Sequence, residues 1–146
     1  MFKPILASIM LYSKLYERFY SLRIKIANIT GEFFSFHPNR WYLGGTVLIQ
    51  AASWWLSSFI FKNLTGDSLV LHYNVDFGID WIGDPSTIFY FPAIGLLFLV
   101  LSIILLFVFG PGRHFRIESH YLMAGMVLAN LGMLSSLVLV YIINFR

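Results

Sequence analysis

The chain has no cysteine and very little charge. Without thiols it forms no disulfide and no thiolate metal site, so cysteine usage says nothing about its redox compartment. Charged residues make up 12% of its 146 positions, against about 25% in soluble domains. The charges that exist avoid three long windows, Trp41 to Phe61, Ile88 to Phe109 and Tyr121 to Ile143. Each window reaches the length of about 20 apolar residues that crosses a bilayer. A soluble helical bundle has no reason to carry three such runs in so short a chain. The expected fold class is therefore all-α integral membrane, with three transmembrane helices at about 41–61, 88–109 and 121–143.

The missing charge also limits the chemistry. No span contains an acid or base, which a proton or ion relay needs. There is no Ser/His/Asp set, no paired-histidine zinc helix and no phosphate-cradling loop. No enzyme, cofactor or metal is expected. The basic residues are few and sit beside a membrane, which argues against nucleic acid as a partner. The early apolar run, Ile5 to Tyr12, is short and lacks a following small-residue cleavage site. The first span is thus expected to serve as its own uncleaved insertion signal.

The placement of the few cations suggests an orientation. Lys3, Lys14, Arg18, Arg23, Lys25 and Arg40 precede the first span, and Arg113 and Arg116 lie between the second and third. Only Lys62 and Arg146 flank the opposite side. Cytoplasmic flanks collect Lys and Arg, so the reading is a cell-membrane protein, multi-pass, with its N-terminus cytoplasmic and its C-terminus outside. Asn63-Leu64-Thr65 is a formal glycosylation triplet on the outer side, but it lies close to the end of the span.

Residues 1–36 read as a cytoplasmic-side amphipathic helix and linker, and residues 37–146 as the three-helix membrane domain. Pro4 suits a first helical turn. Leu11, Leu15, Phe19, Leu22, Ile26 and Ile29 fall on one face of a helix over residues 4–30, with Lys14, Arg18, Ser21, Lys25 and Asn28 on the other. This pattern predicts a helix in the bilayer interface with its cations toward anionic headgroups. A docking helix for a cytoplasmic partner is the alternative. Gly31 is expected to end it, and Pro38 to break the chain again before the first span.

Within the spans, Gln50 and Asn130 each lie about 13 Å from the inner end, and Ser102 is expected at a similar level. Amides in hydrocarbon need partners, so Gln50, Asn130 and Ser102 are expected to share hydrogen bonds as packing contacts. Gly125, Ala129, Gly132 and Ser136 form a small-residue stripe on the third span. Such a stripe lets helices approach closely, here either Gly45 and Ala52 of the first span or a second copy of the chain. Trp41, Tyr42 and Tyr121 at one boundary, and Trp54, Trp55, Trp81, Phe89 and Tyr90 near the other, match interfacial aromatic belts.

The most polar stretch is the outer loop, Leu71 to Pro85, with His72, Asp76, Asp80 and Asp84 four apart. On a helix, neighbours would lie about 6 Å apart and suit a zinc or manganese ion. On a strand, His72 and Asp76 would be about 13 Å apart. Apolar residues at every odd position from Leu69 to Trp81 favour an extended segment, with a kink, bulge or turn at Gly78. A metal site would need Gly78 to fold the acids together. The outer-loop recognition candidates are His72, Asn74, Asp76, Asp80 and Gly83.

The order His72-Tyr73-Asn74, then Asp80, then Gly83, followed by Pro92 in the next span, resembles the loop of SdpI-like bacterial integral membrane proteins. The His-to-Asp spacing of eight and the Asp-to-Gly spacing of three both match that family's loop. Gly78 lies one position later than its pattern, and Leu71 replaces the usual proline. The resemblance covers residues 71–92. It implies a bacterial cell-membrane protein with an outward loop, in a family whose best-known member confers immunity to a secreted toxin peptide. Two functions follow as expectations: outward recognition, sensing or immunity, or a structural accessory subunit of a larger membrane complex. The bilayer is a partner in both, with a homo-oligomer or a second membrane protein beside it.

Overall fold

The computed structural model describes residues 3–76, 78–110 and 112–145, with side chains described from residue 12 onward. Expectations that rest on the side chains of Lys3, Leu11, Phe77 and Arg146 lie outside the described residues. The elements run α1 (Lys3–Ser35), α2 (His37–Asn63), β1 (Leu69–Asn74), β2 (Gly78–Gly83), a 3-10 turn (Pro85–Phe89), α3 (Tyr90–Phe109) and α4 (Phe115–Phe145). Three helical stretches, His37–Asn63, Pro85–Phe109 and Phe115–Phe145, are long and apolar enough to cross a membrane. The fold is an all-α membrane fold with one small two-stranded sheet.

α3 is apolar on all sides, yet Leu97, Leu101, Ile104 and Val108 are exposed. A helix greasy all round needs either a protein core or lipid around it. Only 22–28% of each apolar window is buried inside the molecule, which leaves the rest to lipid or a neighbouring membrane protein.

α4 is the central helix, packed against α2 on one side and α3 on the other. Its buried residues are Phe115, Ser119, Met123, Met126, Asn130, Leu137 and Val140. On α2 they are Asn39, Thr46, Gln50, Ser53, Ser57 and Ile60. Both sets step by threes, fours and sevens, the seam of a left-handed helix pair. The α2 seam is small and polar while its lipid side is apolar. Thr46 and Ser53 donate their hydroxyls to the carbonyls four residues back, Tyr42 at 2.8 Å and Ile49 at 2.9 Å. Each hydroxyl is satisfied within its own helix, which lets the pair pack closely without an orphan hydroxyl.

Proline shapes the start of α3. Pro92 has no N–H to give to the carbonyl of Ile88, one turn back. Ser57 of α2 donates to that carbonyl instead, at 3.3 Å. Asp84 caps the preceding turn by accepting from the Ser86 N–H at 2.8 Å. Hydrogen bonding from the Ser86 side chain, and then from its backbone N–H, holds the carboxylate below its ordinary value of 3.8.

α1 is longer than its pattern suggested. It continues through Gly31 to Ser35, and the break falls at Phe36, which is extended (φ −93°, ψ 106°). Pro38 does not interrupt the chain but sits in the first turn of α2, where its missing N–H costs nothing. A mid-helix glycine costs about 1 kcal/mol. Burying Ile29 and Phe33 against Leu106, Phe115, Met123 and Met126 outweighs that at about 2 kcal/mol per large side chain. Lys25 reaches Gly110 at the end of α3. At the other end, Asn39 and Arg40 donate to the carbonyls of Phe33 and Phe34. The last turns of α1, from Ile29 onward, therefore pack against one end of the bundle, the arm end, while residues 12–28 are exposed. The hairpin of β1 and β2 covers the opposite end, where Leu69 joins a second core with Ile60, Ile88, Leu137 and Val140.

Candidate functional site: the hairpin surface and the intramembrane polar node

The Leu71–Pro85 loop folds back on itself. β1 and β2 pair antiparallel, with Leu69 opposite Gly83, Val70 opposite Ile82, Tyr73 opposite Ile79 and Asn74 opposite Gly78. The reversal comes from Asn74, whose Oδ1 accepts from the Asp76 N–H at 2.9 Å, and from Gly78, which leaves the turn at φ +80°. Only glycine adopts that backbone freely. Of the kink, bulge and turn anticipated at Gly78, the chain takes the turn, and a register irregularity lies at His72.

That fold brings His72 and Asp80 together across the strands. Imidazole Nδ1 and carboxylate Oδ1 are 2.7 Å apart, with the side chains 60% and 42% exposed. The pair stands in water, so its contribution to stability is at most about 1 kcal/mol. Asp76 is at the exposed tip. Among the described residues, no three His, Asp or Glu groups lie close enough to hold a metal ion. Gly83 is a packing residue: a Cβ there would lie 2.7 Å from Cδ1 of Leu71 and 3.2 Å from Oγ1 of Thr87.

Two devices fix the hairpin to the bundle. Leu69 is fully buried. Asn144, near the end of α4, imitates a neighbouring strand. Its Oδ1 accepts from the Val70 N–H at 3.0 Å, and its Nδ2 donates to the Val70 carbonyl at 2.8 Å. This residue was missed in the sequence, although an amide in the last turn of an apolar helix is a visible signal. The outward part is apolar as well as charged: Tyr73, Val75, Ile79, Trp81 and Ile82 are all at least half exposed. Beneath the hairpin, Leu71, Trp81, Tyr90, Phe91, Met133 and Ser136 line an apolar groove of about 440 Å³.

The two amides within the spans meet, and Ser102 does not join them. Gln50 Nε2 donates to Asn130 Oδ1 at 2.7 Å and to the Pro92 carbonyl at 3.3 Å. Asn130 Nδ2 donates to the Met126 carbonyl. Gly95 makes room for the node, because a Cβ there would overlap the tips of Gln50 and Asn130. Ser102 is buried but forms no bond with either amide. It lies seven residues beyond Gly95, about 10 Å further toward the arm end. Counting from apolar window ends misplaced it, because α2 and α4 begin at His37 and Phe115, before their windows, while α3 ends at Phe109 as its window does, so the amides lie deeper than the count put them.

The small-residue stripe does not face α2. Added Cβ atoms at Gly125, Gly132 and Gly45 would meet nothing within 4 Å. Gly125 and Gly132 are exposed, Ala129 is half-buried, and Ser136 borders the groove under the hairpin. α4 presents Asn130 to Gln50 of α2 instead, while Met123 and Met126 pack with Ile29, Phe33 and Leu106. At the arm end Asn39, unpredicted, donates to Ser119 Oγ at 3.1 Å. Gln50 Oε1 and Asn39 Oδ1 are buried without a hydrogen-bond partner, which reduces the net gain from both contacts.

No protein-family model, curated protein or solved structure matches the chain.

Proposed function

We propose that the protein is a non-enzymatic cell-membrane protein that presents the β1–β2 hairpin outside the cell for recognition, sensing or immunity. The observation that carries this is the exposed His72–Asp80 pair, set among exposed Tyr73, Ile79 and Trp81 on a hairpin clamped by Asn144. Exposed apolar side chains rimmed by polar groups are what partner surfaces look like. A rigid mount lowers the entropic cost of using them. The spacing shared with SdpI-like loops supports the same reading and a bacterial source. The cations gathered at the arm end support a cytoplasmic N-terminus, which puts the hairpin outside.

The test is photo-crosslinking from position 79 or 81 in intact membranes. An adduct of fixed mass, lost in His72→Ala and Asp80→Asn while membrane levels hold, supports outward recognition. Loss of the protein itself in those variants would make the pair a folding element only. The open Gly125–Gly132 face favours a second reading, an accessory subunit or homo-oligomer joined through α4. That reading gains if Gly132→Leu alone dissolves a complex while both hairpin variants are silent.

A further inference from the structure

At the arm end, away from the hairpin, Phe36, Arg116, Ile117, His120 and Tyr121 line a cavity of about 400 Å³. We propose that this cavity binds the headgroup of an anionic phospholipid, which ties α1 to α4.

Arg116 is exposed and has no salt-bridge partner among the described residues. A guanidinium is suited to grip a phosphate by two parallel hydrogen bonds. His120 lies one turn further along α4 and is held from three sides. Its ring is 6.2 Å from Phe36, 5.3 Å from Tyr42 and 5.9 Å from Tyr121. Its Nδ1 is 3.3 Å from the Tyr42 hydroxyl. When Tyr42 donates to Nδ1, the proton of the neutral ring sits on Nε2, a second donor to phosphate.

The remaining walls are apolar or amphipathic, as the glycerol and upper acyl region of a lipid requires. Tyr121, and Trp41 next to Tyr42 in the sequence, are 72% and 81% exposed, the behaviour of residues at headgroup depth. Basic pockets between spans at that depth select anionic headgroups. Phe36 is the single break between α1 and α2, so a lipid held there bridges the arm and the bundle. The inference stands independently of the hairpin's role.

The test uses the full chain in nanodiscs of phosphatidylcholine and phosphatidylglycerol in equal amounts, released into native mass spectrometry. One phosphatidylglycerol should survive activation that strips phosphatidylcholine. Arg116→Gln should cut that retention roughly tenfold (about 1.4 kcal/mol). Arg116→Lys should restore it in part, and Arg113→Gln should leave it unchanged. Equal loss in Arg113→Gln and Arg116→Gln, or no preference over phosphatidylcholine, would overturn the proposal. Displacement by inorganic phosphate would also overturn it, by making this a small-anion site. A photoreactive-headgroup phosphatidylglycerol on the wild-type chain should label residues 116–121. Labelling confined to other residues would count against the site even where a variant fails to fold.

Discussion

Replacing Gly95 by alanine places a methyl group 2.6 Å from Asn130 Oδ1 and in overlap with the Gln50 amide nitrogen. Both atoms are side-chain tips and can swing away, so the clash itself is relieved. The swing breaks the Gln50–Asn130 bond and the weaker Gln50–Pro92 bond. Side-chain hydrogen bonds in membranes are worth about 0.6 kcal/mol on average and up to about 1.7. Losing two costs about 1–3 kcal/mol. Alanine also gains up to about 1 kcal/mol over glycine in a helix, which would mask part of that loss. Gly132→Ala shares the gain but meets nothing within 4 Å. The difference between the two variants therefore isolates the node. Reversible unfolding in mixed micelles, followed by circular dichroism, should place Gly95→Ala about 1–3 kcal/mol below Gly132→Ala. In a Gln50→Ala background most of that gap should close, as coupling through one contact requires. Equal stabilities for the two glycine variants, or an unchanged gap in the Gln50→Ala background, would refute the reasoning.

Asn144→Leu should speed hydrogen exchange at the Val70 amide by tenfold or more while α3 amides keep their protection, as measured by exchange mass spectrometry. His72→Ala should change unfolding stability by less than about 1 kcal/mol, because the pair it breaks is exposed; a larger loss in the same micelle assay would show a structural role. Asp84 has its folded value lowered by the Ser86 bonds. Its cap is thus fully present above pH 3.8 and lost as pH falls through the lowered folded value. The Ser86 amide resonance should move over that acidic range in the wild type and stay still in Asp84→Asn.

The three spans were legible because lipid imposes a simple rule: every side of a crossing helix may be apolar, so charge-free length alone marks them. The Gln50–Asn130 contact was legible for a related reason, since amides in hydrocarbon have few alternatives to each other. Ser102 was misplaced because a count along one helix says nothing of where its neighbour begins. The stripe of Gly125 and Gly132 left α2 and a second copy of the chain both open as its partner, yet small hydroxyl residues with satisfied oxygens also let helices pack closely. Thr46 and Ser53, satisfied within α2, and Ser57, which donates to the Ile88 carbonyl, therefore form the seam. Alternation along Leu69 to Trp81 identified extended chain but not its reversal, because period two is the same in one long strand and in two paired strands. Gly78 decided between them, and its left-handed backbone is a property of three dimensions.

The proposed topology puts α1 and the hairpin on opposite sides of the membrane, with the hairpin outside. The chain has no cysteine, so a single introduced one reports one position. Asp76→Cys at the hairpin tip and Ser21→Cys on α1 can each be exposed to a membrane-impermeant maleimide on intact cells and again after permeabilisation. The account predicts that Asp76→Cys labels in intact cells and that Ser21→Cys labels only after permeabilisation. Labelling of Ser21→Cys in intact cells, with Asp76→Cys protected, would contradict it and place the hairpin in the cytoplasm.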